Sequence, residues 1–353
     1  MNTNYPYISV ILPIRNEEDK ILSTLNSILS QNYKSDKIEI LISDGSSYDN
    51  TITIINNIAN QDPRIKIIKN IYKIVSTGFN LALNEAKGDI IIRIDGHCEI
   101  PQNYIEKCYN LLKETDADIF GGVIETISTG LIGNAISIAQ SSRFGVGGVK
   151  FRHKDLKESG YVDTLAFGAH RREIFADIGG YDEEMVCNQD DEFNHRALQA
   201  GKKIWIDPTI KTKYFARSSY LKLIKQYFNY GFYKVRGIQK RGGIVSIRHL
   251  IPFVFIISLF STIFYGVYFN NLIISIIVLF PYIVSNFFLS IITSPSIKTI
   301  PFIILSYWML HLGYGIGFTW GLIRFIRNWN DTSLKDYHFN REQFLSNNPV
   351  SQR

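Results

Sequence analysis

Three acidic clusters carry the residue types that phosphate chemistry uses: Asp44-Gly-Ser-Ser-Tyr-Asp49, Asp95-Gly-His97 and Gln189-Asp-Asp-Glu192. An aspartate and an imidazole two residues apart can face one divalent cation, and a cation so held neutralises a diphosphate and takes up charge as it leaves. Asp44 suits a hydrogen bond to a base or ribose, although an Asp before Gly is also a common turn former. In the third cluster Asp190 suits a general base that takes the proton of an attacking hydroxyl, with Asp191 and Glu192 as supporting groups. All three acids would sit at a helix start, where the dipole favours anions. Pro13-Ile-Arg-Asn-Glu17 adds a polar loop whose Pro13, Arg15 and Glu17 are candidates for the same ligand, and Asp95 is a candidate for both ligand and cation.

The elements that must position these groups alternate. Residues 8–13 form a short β-branched apolar run of buried-strand type, and 18–29 carry Ile21, Leu22, Leu25, Ile28 and Leu29 at helical spacing. The pattern repeats: strand 38–43 then helix 51–60, strand 64–69 then helix 77–86, and strand 89–94 running into Asp95. Such alternation predicts an α/β fold with a mainly parallel central sheet and helices on both faces. Ligands of open sheets bind beyond the carboxyl ends of strands, where Asp44 and Asp95 fall. A helix is expected over 101–113, a strand over 117–123, mixed loop and helix over the glycine-rich 130–148, and a helix to Ala200 closed by Gly201.

The last third reads differently. From 250 to 323 the only formally charged side chain is Lys298, and three apolar segments near 250–269, 272–292 and 300–323 have membrane-spanning length. Ahead of them Lys222, Lys225, Lys234, Arg236, Lys240, Arg241 and Arg248 form a basic run that attracts anionic headgroups and tends to stay cytoplasmic. Within it 220–241 reads as an amphipathic helix on the membrane surface, with Leu221, Ile224, Phe228 and Phe232 roughly on one face, the alternative being an acceptor-side element that holds a diphosphate-lipid. Basic residues also follow the last segment at Arg324 and Arg327, which calls for an even number of crossings; the Gly313-Tyr-Gly-Ile-Gly317 run marks that segment as the expected re-entrant or interfacial exception. The domain boundaries this implies are 1–217 catalytic, 218–248 basic and juxtamembrane, 249–326 membrane helices and 327–353 a polar tail. The net charge of +6 is modest, and no recognised nucleic-acid motif accompanies the basic run, so nucleic acid is not an expected partner. Cys98, Cys108 and Cys187 have neither metal-ligand spacing nor an even count, which suits reduced thiols. The start of the chain lacks the basic and apolar regions of a signal peptide, so export of the first domain is not expected.

Taken together, Val10-Ile-Leu-Pro-Ile-Arg-Asn-Glu-Glu18, Ser43-Asp-Gly-Ser-Ser47 with Asp49 and Thr51, Gly88-Asp89, Arg93-Ile-Asp-Gly-His97, Gly179-Gly-Tyr-Asp-Glu183 and Gln189-Asp-Asp-Glu-Phe193 resemble glycosyltransferase family 2. Within it the chain is most similar to membrane-anchored transferases of the succinoglycan and exopolysaccharide type. The resemblance implies a GT-A (nucleotide-diphospho-sugar transferase) fold, Mg or Mn, and inverting transfer from a nucleotide-diphosphate donor, UDP-sugar by preference. It further implies a lipid-linked saccharide acceptor and a cytoplasmic catalytic domain on the inner membrane. By position it implies Asp44 at the nucleotide, Asp95 and His97 at metal and diphosphate, and Asp190 as base. Two departures stand out: His97 replaces the second Asp of many relatives, which favours Mn, and Thr77-Gly-Phe-Asn80 lacks the Arg that relatives place on a donor phosphate. Gln140-Ser-Ser-Arg-Phe144 mimics the Gln-x-x-Arg-Trp of processive synthases but precedes Asp190, so transfer of one sugar per encounter is expected. The rivals are a polyprenyl-phosphate sugar synthase and a membrane scaffold that keeps only the fold.

Overall fold

The computed structural model describes residues 5–153, 155–243 and 247–347. Residues 1–4, at the chain start where a leader was not expected, and 348–353, at the end of the tail, lie outside them. The chain forms two compact units: 1–125 with 154–214 and 334–353, and 126–153 with 215–333.

The first unit is built from the predicted alternation. Strand β1 (Ile8–Ile14) is followed by α1 (Ile21–Leu29), β2 (Ile38–Asp44) by α2 (Thr51–Ala59), and β3 (Ile65–Lys69) by α3 (Val75–Glu85). Next come β4 (Ile90–Arg93), the short β5 (Cys98–Glu99), α4 (Tyr104–Glu114) and β6 (Ile119–Ile127). The chain then contributes α5 (Gly130–Ser141) and α6 (Arg143–Val146) to the second unit. It returns with β7 (Gly160–Tyr161), β8 (Ala169–Arg171), α7 (Arg172–Ile178), α8 (Gln189–Gln199) and β9 (Ile204–Phe215).

The strand order is β3-β2-β1-β4-β8-β6-β9-β5, with β7 on β9. Pairings of β1 with β2 and β4, and of β2 with β3, are parallel, whereas β8 pairs antiparallel with β4 and β6, and β9 with β5 and β7. The sheet is therefore GT-A-like and mixed, its parallel part confined to the first four strands. Both β1 and β4 are buried along their whole length, as strands covered on two faces must be. Pro13 is tolerated in central β1 because it lies beyond the last residue paired with β4, Ile11. Register places Ile14 beside Asp44, so the loops leaving β1 and β2 start side by side.

In the second unit a single long helix, α9 (Tyr220–Lys240), precedes α10 (Ile251–Tyr268), α11 (Ile273–Thr293) and α12 (Ile300–Arg324). Among the described residues three stretches, Ile247–Tyr268, Ile273–Thr293 and Ile297–Arg324, are long and apolar enough to cross a membrane. Much of the apolar surface of α10 and α11 is exposed, Phe264 and Phe280 among it, which fits contact with lipid. The glycine run does not interrupt α12. A Cβ on Gly317 would lie 2.0 Å from the Phe228 carbonyl oxygen, and one on Gly231 2.0 Å from that of Tyr314. Small residues thus let α9 and α12 touch backbone to backbone. The glycines thus serve helix packing along a continuous α12, with α9 as its packed partner.

Candidate functional site

The predicted site residues of the first unit collect at the carboxyl ends of β1, β2 and β4 and at the start of α8. The loops after β1 and β2 are laced together. Gly45 N donates to the Ile14 carbonyl, Asn16 N to Ser47 Oγ at 2.9 Å, and Glu17 N to Thr51 Oγ1 at 2.7 Å. Asn16 adopts a left-handed φ of 55°, which Asn tolerates better than most residues, and this turns the loop toward β2. Asp44 accepts from Ser47 Oγ at 2.6 Å and from Ser47 N, so its carboxylate closes the turn after β2 and remains half-buried. Pro13 is buried and Arg15 exposed.

Glu17 connects this lacework to the Asp95-Gly-His97 turn: His97 Nδ1 and Glu17 Oε1 are 2.9 Å apart. The approach depends on Gly96, whose Cβ would meet Ile14 Cγ2 at 2.8 Å and Glu17 Cγ at 2.9 Å. The Tyr214 ring meets His97 edge-on at 5.0 Å. A carboxylate on one imidazole nitrogen fixes the ring and leaves the other to ligate, the usual arrangement behind a metal-bound His. Asp95 spends Oδ1 on Arg93, at 2.8 Å. The donor set of one carboxylate and one oriented imidazole therefore fits a divalent cation whose other ligands come from phosphate oxygens and water. Among the described residues no group of three or more His, Cys, Asp or Glu is placed to hold an ion without such help.

Arg93, at the end of β4, is the residue the sequence reading missed. Its guanidinium is almost fully buried and bonds Asp95 through Nη2 and Asp190 through Nη1. It also lies over the Tyr181 ring, 5.7 Å from the centroid. Tyr181 in turn donates its hydroxyl to Asp190 Oδ1 at 3.1 Å. Burial opposes the Arg93 charge, but Asp190 and Asp95 outweigh it and hold its pKa above the ordinary guanidinium value. Burial likewise raises Asp190 above the ordinary carboxylate range, assisted by repulsion from Asp95 and opposed by Arg93 and the Tyr181 hydroxyl. The result is a carboxylate of enhanced basicity, held by two donors and about a quarter exposed. In the sequence, Arg93 stands in the Arg93-Ile-Asp-Gly-His97 motif, but nothing local there assigns it a role of its own.

The other two acids of the cluster diverge. Asp191 is half-buried in the first turn of α8. Glu192 pairs with Arg196, 2.6 Å away, and Arg196 grips the carbonyls of Ile178 and Gly180. Glu192 thus braces the loop 179–183. Thr77 and Asn80, which stand where relatives are expected to carry an Arg motif, hold that same loop: Asn80 bonds both the amide and the carbonyl of Tyr181 at 2.8 Å, and Thr77 donates to Glu183. Gln140 and Phe144 belong to the second unit and Asp190 to the first.

This mixed sheet, with acids at parallel strand ends, defines a nucleotide-sugar transferase of GT-A type. A mannosyltransferase from Pyrobaculum calidifontis, solved in complex with GDP-Man and Mn2+, has the same fold at TM-score 0.58 and 15% identity, over 90% of this chain and 88% of that one. The model of the family Glycosyl transferase family 2 matches residues 9–179. Succinoglycan biosynthesis protein ExoA of Rhizobium meliloti (strain 1021) is 30% identical over 249 residues, 69% of this chain and 73% of that protein. Dolichyl N-acetyl-alpha-D-glucosaminyl phosphate 3-beta-D-2,3-diacetamido-2,3-dideoxy-beta-D-glucuronosyltransferase of Methanococcus voltae is 30% identical over 268 residues, 74% of this chain and 82% of that protein. The chain belongs to glycosyltransferase family 2 and is a transferase acting on nucleotide sugars.

Proposed function

We propose that the protein transfers one sugar, with inversion, from a nucleotide-diphosphate donor to a hydroxyl of a lipid-linked saccharide, with Asp190 as general base. The observation that carries this reading is Arg93, whose one guanidinium joins Asp95, the candidate cation and diphosphate residue, to Asp190. Transfer needs a base and a diphosphate-binding group close together around the anomeric carbon, and a shared guanidinium between the two carboxylates supports that reading. Asp190 takes the acceptor hydroxyl proton as the oxygen attacks; its raised pKa strengthens it as a base while Arg93 keeps it ionised. Asp95 and His97 would hold a divalent cation, which when bound neutralises the diphosphate and accepts charge as it leaves. Asp44 and the loop 13–17 are assigned to the nucleotide, UDP by preference.

The acceptor class rests on two supports: the Methanococcus voltae relative bears a dolichyl phosphate saccharide in its name, and three helices here are long and apolar enough to cross a membrane. A membrane-held enzyme meets a lipid-linked acceptor in two dimensions. We place the catalytic unit at the cytoplasmic face of the inner membrane, in exopolysaccharide or surface-glycan assembly. Screening purified full-length protein with Mn against nucleotide sugars, reading release of nucleotide diphosphate on adding membrane lipid extract, tests this. Lipid-dependent release from one donor is the expected result, and no release from any donor by folded protein refutes the proposal.

A further inference from the structure

We propose that the C-terminal segment after the apolar helices is a working part of the catalytic unit, and that Glu183 and His338 are positioning residues for Asp190. The kinetic half of this rests on the assignment of Asp190 above. Residues 334–347 pack on the first unit through specific bonds rather than trailing from it. His338 donates its amide to Glu183 Oε1 at 2.9 Å and sets Nδ1 2.6 Å from Oε2. Glu183 N donates to the Lys335 carbonyl at 2.7 Å, and Gly180 N to Asp336 Oδ2 at 3.1 Å. Glu183 also accepts from Thr77 and Asn80, so this buried carboxylate has four donors, two from α3 and two from His338.

Farther along, Asn84 of α3 takes up the His338 carbonyl and the Asn340 amide. Helix α13 (Arg341–Ser346) inserts Phe344, fully buried, with its ring 3.7 Å from the Arg172 guanidinium. The segment is therefore clamped at both ends, and Glu183 lies under its first part.

The path from Glu183 to the site is short. Asn80 donates to Glu183 and to the Tyr181 carbonyl and accepts from the Tyr181 amide, so one side chain fixes both residues. The Tyr181 ring stacks on Phe79 at 4.3 Å, and its hydroxyl ends on Asp190. Gly179 must be glycine here: its φ is +82°, and a Cβ would lie 2.6 Å from Asp336 Oδ2. Loosening His338 frees Glu183, then the loop, then the donor that aims the Asp190 carboxylate. Displacing a reacting group by about an ångström costs up to about a hundredfold in rate.

The test uses full-length protein in detergent or nanodiscs, comparing wild type with His338→Ala, His338→Asn, which keeps a donor where Nδ1 stands, and Thr77→Val, a small change at the same carboxylate. The expected result for His338→Ala is faster amide exchange over 179–183 and at the α8 start. With it, kcat falls about tenfold or more and donor KM changes by less than about threefold. His338→Asn recovers most of both, and Thr77→Val shows a smaller loss of the same kind even if the alanine variant fails to fold. Unchanged exchange, or faster exchange with wild-type kcat per folded molecule, overturns the proposal. A wild-type protein that transfers no sugar sinks the assignment of Asp190 instead, while exchange at Tyr181 and Asp190 still reports whether the segment governs their order.

Discussion

Replacing Arg93 by Met would remove the charge that sits between Asp95 and Asp190. An adjacent guanidinium lowers a carboxyl pKa by about 1–3 units, so its loss should raise Asp190 by that amount, or about 1.4–4 kcal/mol in proton affinity. Asp190 already lies above the ordinary range through burial, and Asp95 would then repel it without a counter-charge. If Asp190 must be ionised to accept the acceptor proton, activity is lost as pH falls through its pKa. The acid limb of the kcat/KM profile should therefore move up by about 1–3 units in Arg93→Met, with partial recovery at alkaline pH. Arg93→Lys keeps the charge but cannot bond both acids in a fork, and should shift the limb less. Removing a buried partner costs about 3–5 kcal/mol at most, so a thermal melt must accompany each profile. A uniform fall at every pH, with the limb unmoved, would refute the linkage between Arg93 and Asp190.

Other outcomes follow from single contacts. Glu17→Gln removes the carboxylate behind His97 and should weaken Mn activation about 10–100-fold, read as the metal concentration giving half-maximal rate. His170, buried between β4 and β6, has its pKa lowered to about 4 by burial. The unfolded chain therefore binds its proton first on acidification, and the first unit should lose about 3 kcal/mol between pH 6.5 and 4; denaturant midpoints of His170→Gln should show less of this loss. Gly317→Val puts a branched side chain where the Phe228 carbonyl already stands and should separate α9 from α12, seen as a lowered melting temperature of the solubilised protein.

How far the sequence reveals this molecule depends on the range of the interaction concerned. Strands β1 to β4 and their helices announce themselves because alternation, apolar spacing and turn residues are local, and α10 to α12 because composition alone marks them. The acids at strand ends were legible from the same local punctuation. What was hidden depends on partners far away in the chain: Arg93 is explained only by Asp190, and Thr77 and Asn80 only by residues a hundred positions later. The Gly313–Gly317 run shows the same limit from the other side, since glycine reads alike whether it breaks a helix or lets another helix approach. The tail gave no local signal, because its bonds to Glu183 and Asn84 join polar residues common in any loop.

The most direct test of the central claim is single-turnover transfer by Asp190→Asn, a substitution that preserves size and an acceptor for Tyr181. With folded protein and saturating nucleotide sugar, the proposed role requires a rate about 10²–10⁴-fold below wild type while donor affinity stays within about threefold. Transfer at near the wild-type rate would contradict it and would point to a nucleophile, such as a lipid phosphate oxygen, that needs no base.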